Sequence, residues 1–453
     1  TILNLMRNKI RVGCGSAYAE DLLEPAVDLV DRGNLDYLCM DCLAERTLSI
    51  AQLRKLNDSS LGYDIRMDRM INELFPLCLN KNVRVIGNMG SANPRNALNK
   101  TYNSLKNLKK FRGKIISCIL GDDVLEWVKD NNPMLNDVDC RLNDYPGKVV
   151  SANAYLGASP IVDALKKGAD IIIGGRIADP SLFLAPQIYE FNWNVNDWDK
   201  LAVGQVNGHL LECGNHITGG NFADPPFRIV SGLDNLGFPF GDIKSDGEMR
   251  LSKLSKTGGL VSTLTAKAQL VWEIHDPKNY ITPDVVVDLT NVKINQIRKN
   301  LVHVTGGKGK PASDTYRVLI GILEGWIGEG EITFAGLGAK ERANLAKKTI
   351  LKRLNKLNLQ YDDLQIQLIG QNSVPGSHDL KHFEDPNEVR FRLAAKCTDH
   401  LTAEKIAHEV EYLVMGPAGA CAFKKNTRQI LGVHSSLIPK NIVKTKIVTK
   451  VIR

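Results

Sequence analysis

The chain has 453 residues, 43% hydrophobic and 24% charged, which exceeds one ordinary core and suggests two or three domains of ~100–200 residues. That composition excludes a disordered or collagen-like chain, and no apolar run approaches the ~20 residues needed to cross a bilayer. The net charge of +8 is concentrated in residues 440–453, where five Lys and Arg stand without an acid; the remaining body is only mildly basic, which argues against nucleic-acid binding.

Strand patterns at residues 10–12, 36–42, 83–86, 114–120, 148–152 and 170–173 alternate with helical patterns, including 22–33, 47–56 and a helix from Pro94. Such alternation predicts an α/β fold, a mostly parallel sheet of βα units with right-handed crossovers. An open sheet is preferred to a barrel because the helices vary in length. Residues 187–300 are rich in Gly, Asn, Asp and aromatic residues. Within them, Gly237-Phe238-Pro239-Phe240-Gly241 predicts a turn-rich loop, and 260–274 fits either a helix or a strand pair. After residue 300, strands at 317–323, 331–334, 364–369 and 389–394 with helices at 339–354 and 402–413 predict a smaller C-terminal α+β sandwich. The division is therefore 1–295, an N-terminal α/β domain with the ligand site, and 296–453, an α+β domain with a basic tail.

Three loops share one chemical plan: a strand, then small residues, then a polar residue before Pro. They are 87–95 with Asn88, Asn93 and Arg95, 153–160 with Asn153, and 174–180 with Arg176 and Asp179. Asn, Ser and Asp are good N-caps and Pro suits the first helical turn. Three helix starts on the carboxyl edge of a parallel sheet would form an anion-binding edge, with Arg95 and Arg176 supplying charge-assisted recognition. Residues 42–47 lie on the same edge and offer Glu45 as a general base and Arg46 as an anion clamp. Gly121-Asp122-Asp123 ends the fourth strand, and Asp122 is an acid/base candidate there; the alternative is a pair of helix caps.

Residues 208–221 hold His209, Glu212, Cys213 and His216 among glycines. Gly214 interrupts a continuous helix, and the spacing matches no zinc motif, so no metal is expected. Glu212 and His216 are acid/base candidates and Cys213 a candidate nucleophile. Gly13-Cys14-Gly15 lacks the third glycine of a dinucleotide fingerprint, which falls at Tyr18. Residues 325–331, with Trp326 between glycines, suggest a loop over a ligand. Nine scattered cysteines do not form a disulfide framework and indicate a reducing compartment.

Taken together, RVGCGSAYAEDLLEPAVDLVDRGNLDYLCMDCLAERT, VIGNMGSANPRNA, NAYLGASPIVDALKKGADIIIGGRIADPS, GHLLECGNHITGGNFAD, KTGGLVSTLTAKAQLVWEIHDPKNYITPDVVVDL and GWIGEGEITFAG resemble the acyclic terpene utilisation A family. They span about residues 11–336. The resemblance implies bacterial relatives that degrade branched acyclic terpenoids through CoA thioesters, with a lyase or hydratase role. Longer relatives carry a further ferredoxin-like domain with an S-G-D-K-G stretch, which does not occur in these 453 residues.

The expected function is acyl or organic-acid catabolism by proton transfer beside a carbonyl of an anionic substrate. Glu45, Asp122, Glu212 and His216 are the acid/base candidates. Asn88, Asn93, Arg95, Asn153, Arg176, Asp179 and Arg46 are the ligand-binding candidates. No cofactor is expected beyond CoA as a substrate moiety. The expected setting is a cytoplasmic homo-oligomer without nucleic-acid or membrane partners. The alternative is a non-catalytic metabolite-binding subunit, which would leave the loop acids exposed rather than perturbed in a cleft.

Overall fold

The computed structural model describes residues 7–371, 373–374 and 386–453. Their contacts divide them into two compact units. The described residues of Thr1–Asn143, Val150–Ile320 and Val433–Arg453 form the first, and those of Asp144–Val149 and Gly321–Gly432 form the second.

In the first unit the chain runs β1 (Lys9–Ser16), α1 (Glu24–Arg32), β2 (Tyr37–Met40), α2 (Glu45–Asn57), β3 (Arg84–Gly87), α3 (Pro94–Leu105), β4 (Ile115–Leu120), β5 (Lys148–Ala154), α4 (Ser159–Lys166), β6 (Ile171–Ile173), α5 (Asp179–Phe191) and α6 (Trp198–Glu212). Strands β1, β2, β3, β6 and β4 pair in that order, all parallel. Successive residues of these strands feed opposite cores: Cys39, Ile86 and Ile172 lie in one, Leu38, Val85 and Ile171 in the other. Burial on both faces explains why β6 reads Ile-Ile-Ile rather than alternating with polar residues. Truncating Ile172 to Ala would cost ~2–5 kcal/mol through the cavity it leaves.

Antiparallel strands extend this sheet. Beyond β1 come β7 (Pro239–Lys244) and β8 (Met249–Lys253), then, after helix α7 (Thr263–Leu270), β9 (Lys293–Arg298) and β10 (Leu301–Thr305), in the order β9-β10-β8-β7-β1. The ambiguous stretch 260–274 is therefore helical over α7. Its start is fixed by Ser262, whose side chain accepts from the Thr265 N–H.

Two expectations are corrected at the other edge. The strand at 148–152 forms as β5, but it pairs outside the parallel sheet. The place beside β4 is filled by Lys446–Val451, which pairs antiparallel with it. Residues 440–453, read as a basic tail, thus return to the first unit, one segment of which runs from Val150 to Ile320.

The shared loop plan also divides. Asn93 caps α3 as expected, its side chain accepting from the Asn96 N–H at 3.4 Å. At α4 and α5 the cap positions are Ala158 and Ala178, so Ser159 and Asp179 are already helical and Pro160 and Pro180 follow one residue later than expected. Asp179 is thereby released from capping.

The second unit holds most of a sheet of order β12-β13-β11-β14 from β11 (Thr315–Ala335, from Gly321 on), β12 (Asp363–Ile369), β13 (Glu388–Cys397) and β14 (Ala420–Pro439, up to Gly432), with helices α8 (Ala339–Leu357) and α9 (His400–Glu409). Ala343, Ala346, Ile350 and Leu354 of α8 pack with Phe334, Phe391 and Leu393. The stretch around Trp326, expected as a loop, lies inside the long strand β11. Its glycines answer a packing need: a Cβ at Gly328 would stand 1.9 Å from the Ala403 carbonyl of α9.

Candidate active site

The loops after β2, β3, β4 and β6 meet at the carboxyl edge of the parallel strands, where α/β folds bind ligands. Asp41 follows β2. Its Oδ1 accepts from Asn88 Nδ2 at 2.7 Å and from the Leu43 N–H at 3.2 Å. Asn88, after β3, accepts in turn from the Cys42 N–H at 2.6 Å. Both ends of Asn88 are used, so it aims Asp41 rather than a ligand.

Arg176 follows β6 and is 1% exposed. It donates to the Leu43 carbonyl at 3.1 Å, to the Ile177 carbonyl at 2.5 Å and to Asp179 Oδ1. Its guanidinium carbon stands 4.5 Å from the Tyr155 ring centre. Asp122, after β4, accepts from the Arg176 N–H and from Asn153 Nδ2, both at 2.9 Å. Asn153 accepts from Gln52 Nε2 at 3.0 Å, which ties α2 and β5 to the same edge. At the end of α6, Glu212 Oε1 meets His209 Nδ1 at 3.0 Å.

Three acids here share one buried cation. Burial pushes Asp41 and Glu212 well above the carboxylate range; the field of Asp179 adds to this and Arg176 opposes it. Burial also raises Asp122, and lowers His209 from 6.5 to about 4. Burial thus favours the neutral, protonated form of Glu212 and the uncharged imidazole of His209. Among the described residues, Arg176 Nε, Glu212 Oε2 and His209 Nε2 are buried without a hydrogen-bond partner. Such orphans are costly in a finished core and expected where a ligand completes the set.

A cavity of about 270 Å³ opens at the carboxyl end of β1, lined by Ala17, Tyr18, Asp21, Cys213, Asn215, His216 and Trp272 among others. Asp21 of this lining is braced by a buried ion pair: Arg66 bonds Asp64 at 2.7 Å and donates to the Asp21 carbonyl at 2.6 Å and to Ser16 Oγ at 3.2 Å. Burial raises the Cys213 thiol well above its ordinary value, so it is no thiolate. Cys213 of this lining directly follows Glu212 in the chain. No group of three or more His, Cys, Asp or Glu side chains among the described residues is arranged to hold a metal ion.

The sequence model of the acyclic terpene utilisation family protein AtuA matches residues 10–449. The chain belongs to this family. No curated protein matches it. Among solved structures, the de novo designed protein Ferredog-Diesel is 17% identical and covers 22% of this chain and 85% of its own, at a TM-score of 0.16, too low to support any structural argument.

In this AtuA-family chain the candidate residues separate into three groups. Asp122, Asn153, Arg176, Asp179 and Glu212 join Asp41 in the buried cluster, and His216 lines the cavity. Glu45 lies at the margin of the cluster, accepting from Tyr155 at 3.3 Å and paired with Arg317 at 2.7 Å, the Glu45 and Arg317 side chains each about half exposed. Arg46 and Arg95 are exposed, and Asn93 donates to the Ser59 and Leu61 carbonyls as a loop clamp. Asp41, Tyr155 and Gln269 join the site without a role expected from sequence, and His209, expected only as a neighbour of Glu212, is its hydrogen-bond partner. Asp41 had a legible signal, since it directly follows a strand on the same edge as Glu45.

Among the described residues no helix is long and apolar enough to cross a membrane.

Proposed function

We propose that this chain is a lyase- or hydratase-type enzyme of branched acyl-acid catabolism, acting within acyclic terpene utilisation. It moves a proton beside the carbonyl of an anionic substrate, a free acid or a CoA thioester. The carrying observation is the buried Glu212 hydrogen-bonded to the buried His209, each with a free buried end, in a setting that favours the neutral form of both. A carboxyl whose proton affinity is raised by burial can donate a proton to a developing enolate or take one back. His209 links to it through Oε1, so the pair can redistribute a proton without creating a charge in the core. Arg176 supplies the positive field that an enolate or carboxylate needs. Tyr155 and Asp179 enclose it, and the Asp179 side chain is a third exposed. An anionic group therefore reaches the guanidinium by displacing the Asp179 carboxylate.

Proton abstraction beside a carbonyl leaves a direct trace in heavy water. Incubated with branched acids and their CoA thioesters, the protein is expected to exchange the proton next to the carbonyl for deuterium. Glu212→Gln should slow this by ~10²-fold or more. A panel with no exchange, or a Glu212→Gln variant of unchanged rate, contradicts the assignment. A subunit that only binds a metabolite would show affinity without exchange.

A further inference from the structure

The cavity contains one imidazole, His216, whose two nitrogens are made unequal by a buried amide. Gln269, on α7, is fully buried. Its Nε2 donates to the His209 carbonyl at 2.8 Å, and a backbone carbonyl can only accept. That contact fixes which end of the amide is nitrogen. Its oxygen, Oε1, therefore faces His216 Nδ1, with which it is hydrogen bonded. An amide oxygen has no proton to give, so Nδ1 must carry one. His216 also packs against Trp272, with ring centres 4.5 Å apart, and burial lowers its proton affinity below the ordinary value of 6.5. A neutral imidazole with its proton on Nδ1 has a bare lone pair on Nε2.

We propose that Gln269 is a positioning residue that locks His216 as the Nδ1–H tautomer, leaving Nε2 to accept a hydrogen bond from a hydroxyl group of a ligand in the cavity. The site then favours hydroxy acids over their deoxy counterparts. The hydroxyl donates and Nε2 accepts, with the Trp272 ring packed against the imidazole. This specificity rests on the cavity being the substrate pocket of the proposed enzyme; the tautomer itself does not.

The test uses the whole chain with ¹⁵N-labelled histidine, the His216 signals being identified by their loss in His216→Asn. The expected wild-type spectrum shows a protonated Nδ1 and an unprotonated Nε2. Gln269→Leu should move the proton to Nε2, the form favoured by an unconstrained imidazole. Gln269→Glu should leave both nitrogens protonated, and it reads the same contact if the Leu variant does not fold. A wild-type His216 with its proton on Nε2, or a tautomer indifferent to residue 269, overturns the lock.

Calorimetry with 3-hydroxy-3-methylbutyrate and 3-methylbutyrate then reads the specificity. The wild type should bind the hydroxy acid about tenfold more tightly, and the Gln269 variants should lose that preference. An equal preference in wild type and variants overturns the role of Nε2. A wild type with the expected tautomer that binds neither acid upholds the lock and contradicts the cavity as the substrate pocket.

Discussion

The two units treat charge in opposite ways. On the sheet of the second unit, Arg392 pairs with Glu329, Arg390 with Glu331, and Lys396 with Glu324 at 2.9 Å, a cation for each acid, and all six side chains retain some exposure. At the carboxyl edge of the first unit, Asp41, Asp179 and Glu212 converge on Arg176 alone, and orphaned polar atoms remain. Paired, partly hydrated charges contribute little to stability and little to chemistry. Buried acids in excess of cations hold protons, and that condition is maintained at a cost the fold must offset elsewhere. The contrast is the reason the proposed chemistry is assigned to the first unit's edge.

The largest effect should come from Arg176. Arg176→Ala leaves Asp179 and the Leu43 carbonyl without their partner in the core and is expected to destabilise the fold by ~3–5 kcal/mol in urea denaturation. Arg392→Ala in the second unit should cost less than ~1 kcal/mol. Equal losses would erase the distinction between the two regions.

Next comes the pH dependence. Glu212 titrates above its ordinary 4.5 in the folded chain, so the folded state keeps a proton that the unfolded chain has released. Its contribution is complete below that ordinary value and is lost as pH rises toward the folded one. His209 runs the other way: lowered from 6.5 to about 4, it contributes stability above 6.5 that is lost as pH falls through 4. Above pH 6.5 His209 no longer changes and the other raised acids are common to both proteins, so the wild type should lose stability relative to Glu212→Gln by up to ~1.4 kcal/mol per pH unit until Glu212 ionises. Parallel stability curves for the two proteins would show that Glu212 is already ionised.

Smaller still, Asn153→Ala should cost ~1–3 kcal/mol, because it strips a donor from buried Asp122 and an acceptor from Gln52. Asn93→Ala removes a cap and should cost ~1 kcal/mol without altering ligand affinity.

Much of the frame was legible from local pattern. The apolar runs at 83–86, 114–120 and 170–173 form β3, β4 and β6, because a strand buried on both faces needs no polar alternation. Nothing local distinguishes β5 from them; whether a strand joins the parallel sheet depends on Lys446–Val451, nearly three hundred residues later, filling the place beside β4. The glycines around Trp326 were misleading because a glycine can serve a loop or the close approach of a helix, and only the position of Ala403 decides between them. In the site, residue type near strand ends pointed to Arg176, Asp122 and Glu212. Which residues face a ligand and which brace a neighbour was not legible: Asn88 and Asn153 spend their hydrogen bonds on Asp41, Asp122 and Gln52. Gln269 was invisible for the same reason, since its importance lies wholly in the orientation of its amide.

The central claim is that Glu212 carries a proton at neutral pH inside this acid-rich edge. Infrared difference spectroscopy of the wild type against Glu212→Gln at pH 7 tests it directly. The account predicts a protonated-carboxyl carbonyl band that shifts in heavy water and is missing from the variant. A difference spectrum containing only carboxylate bands would contradict it.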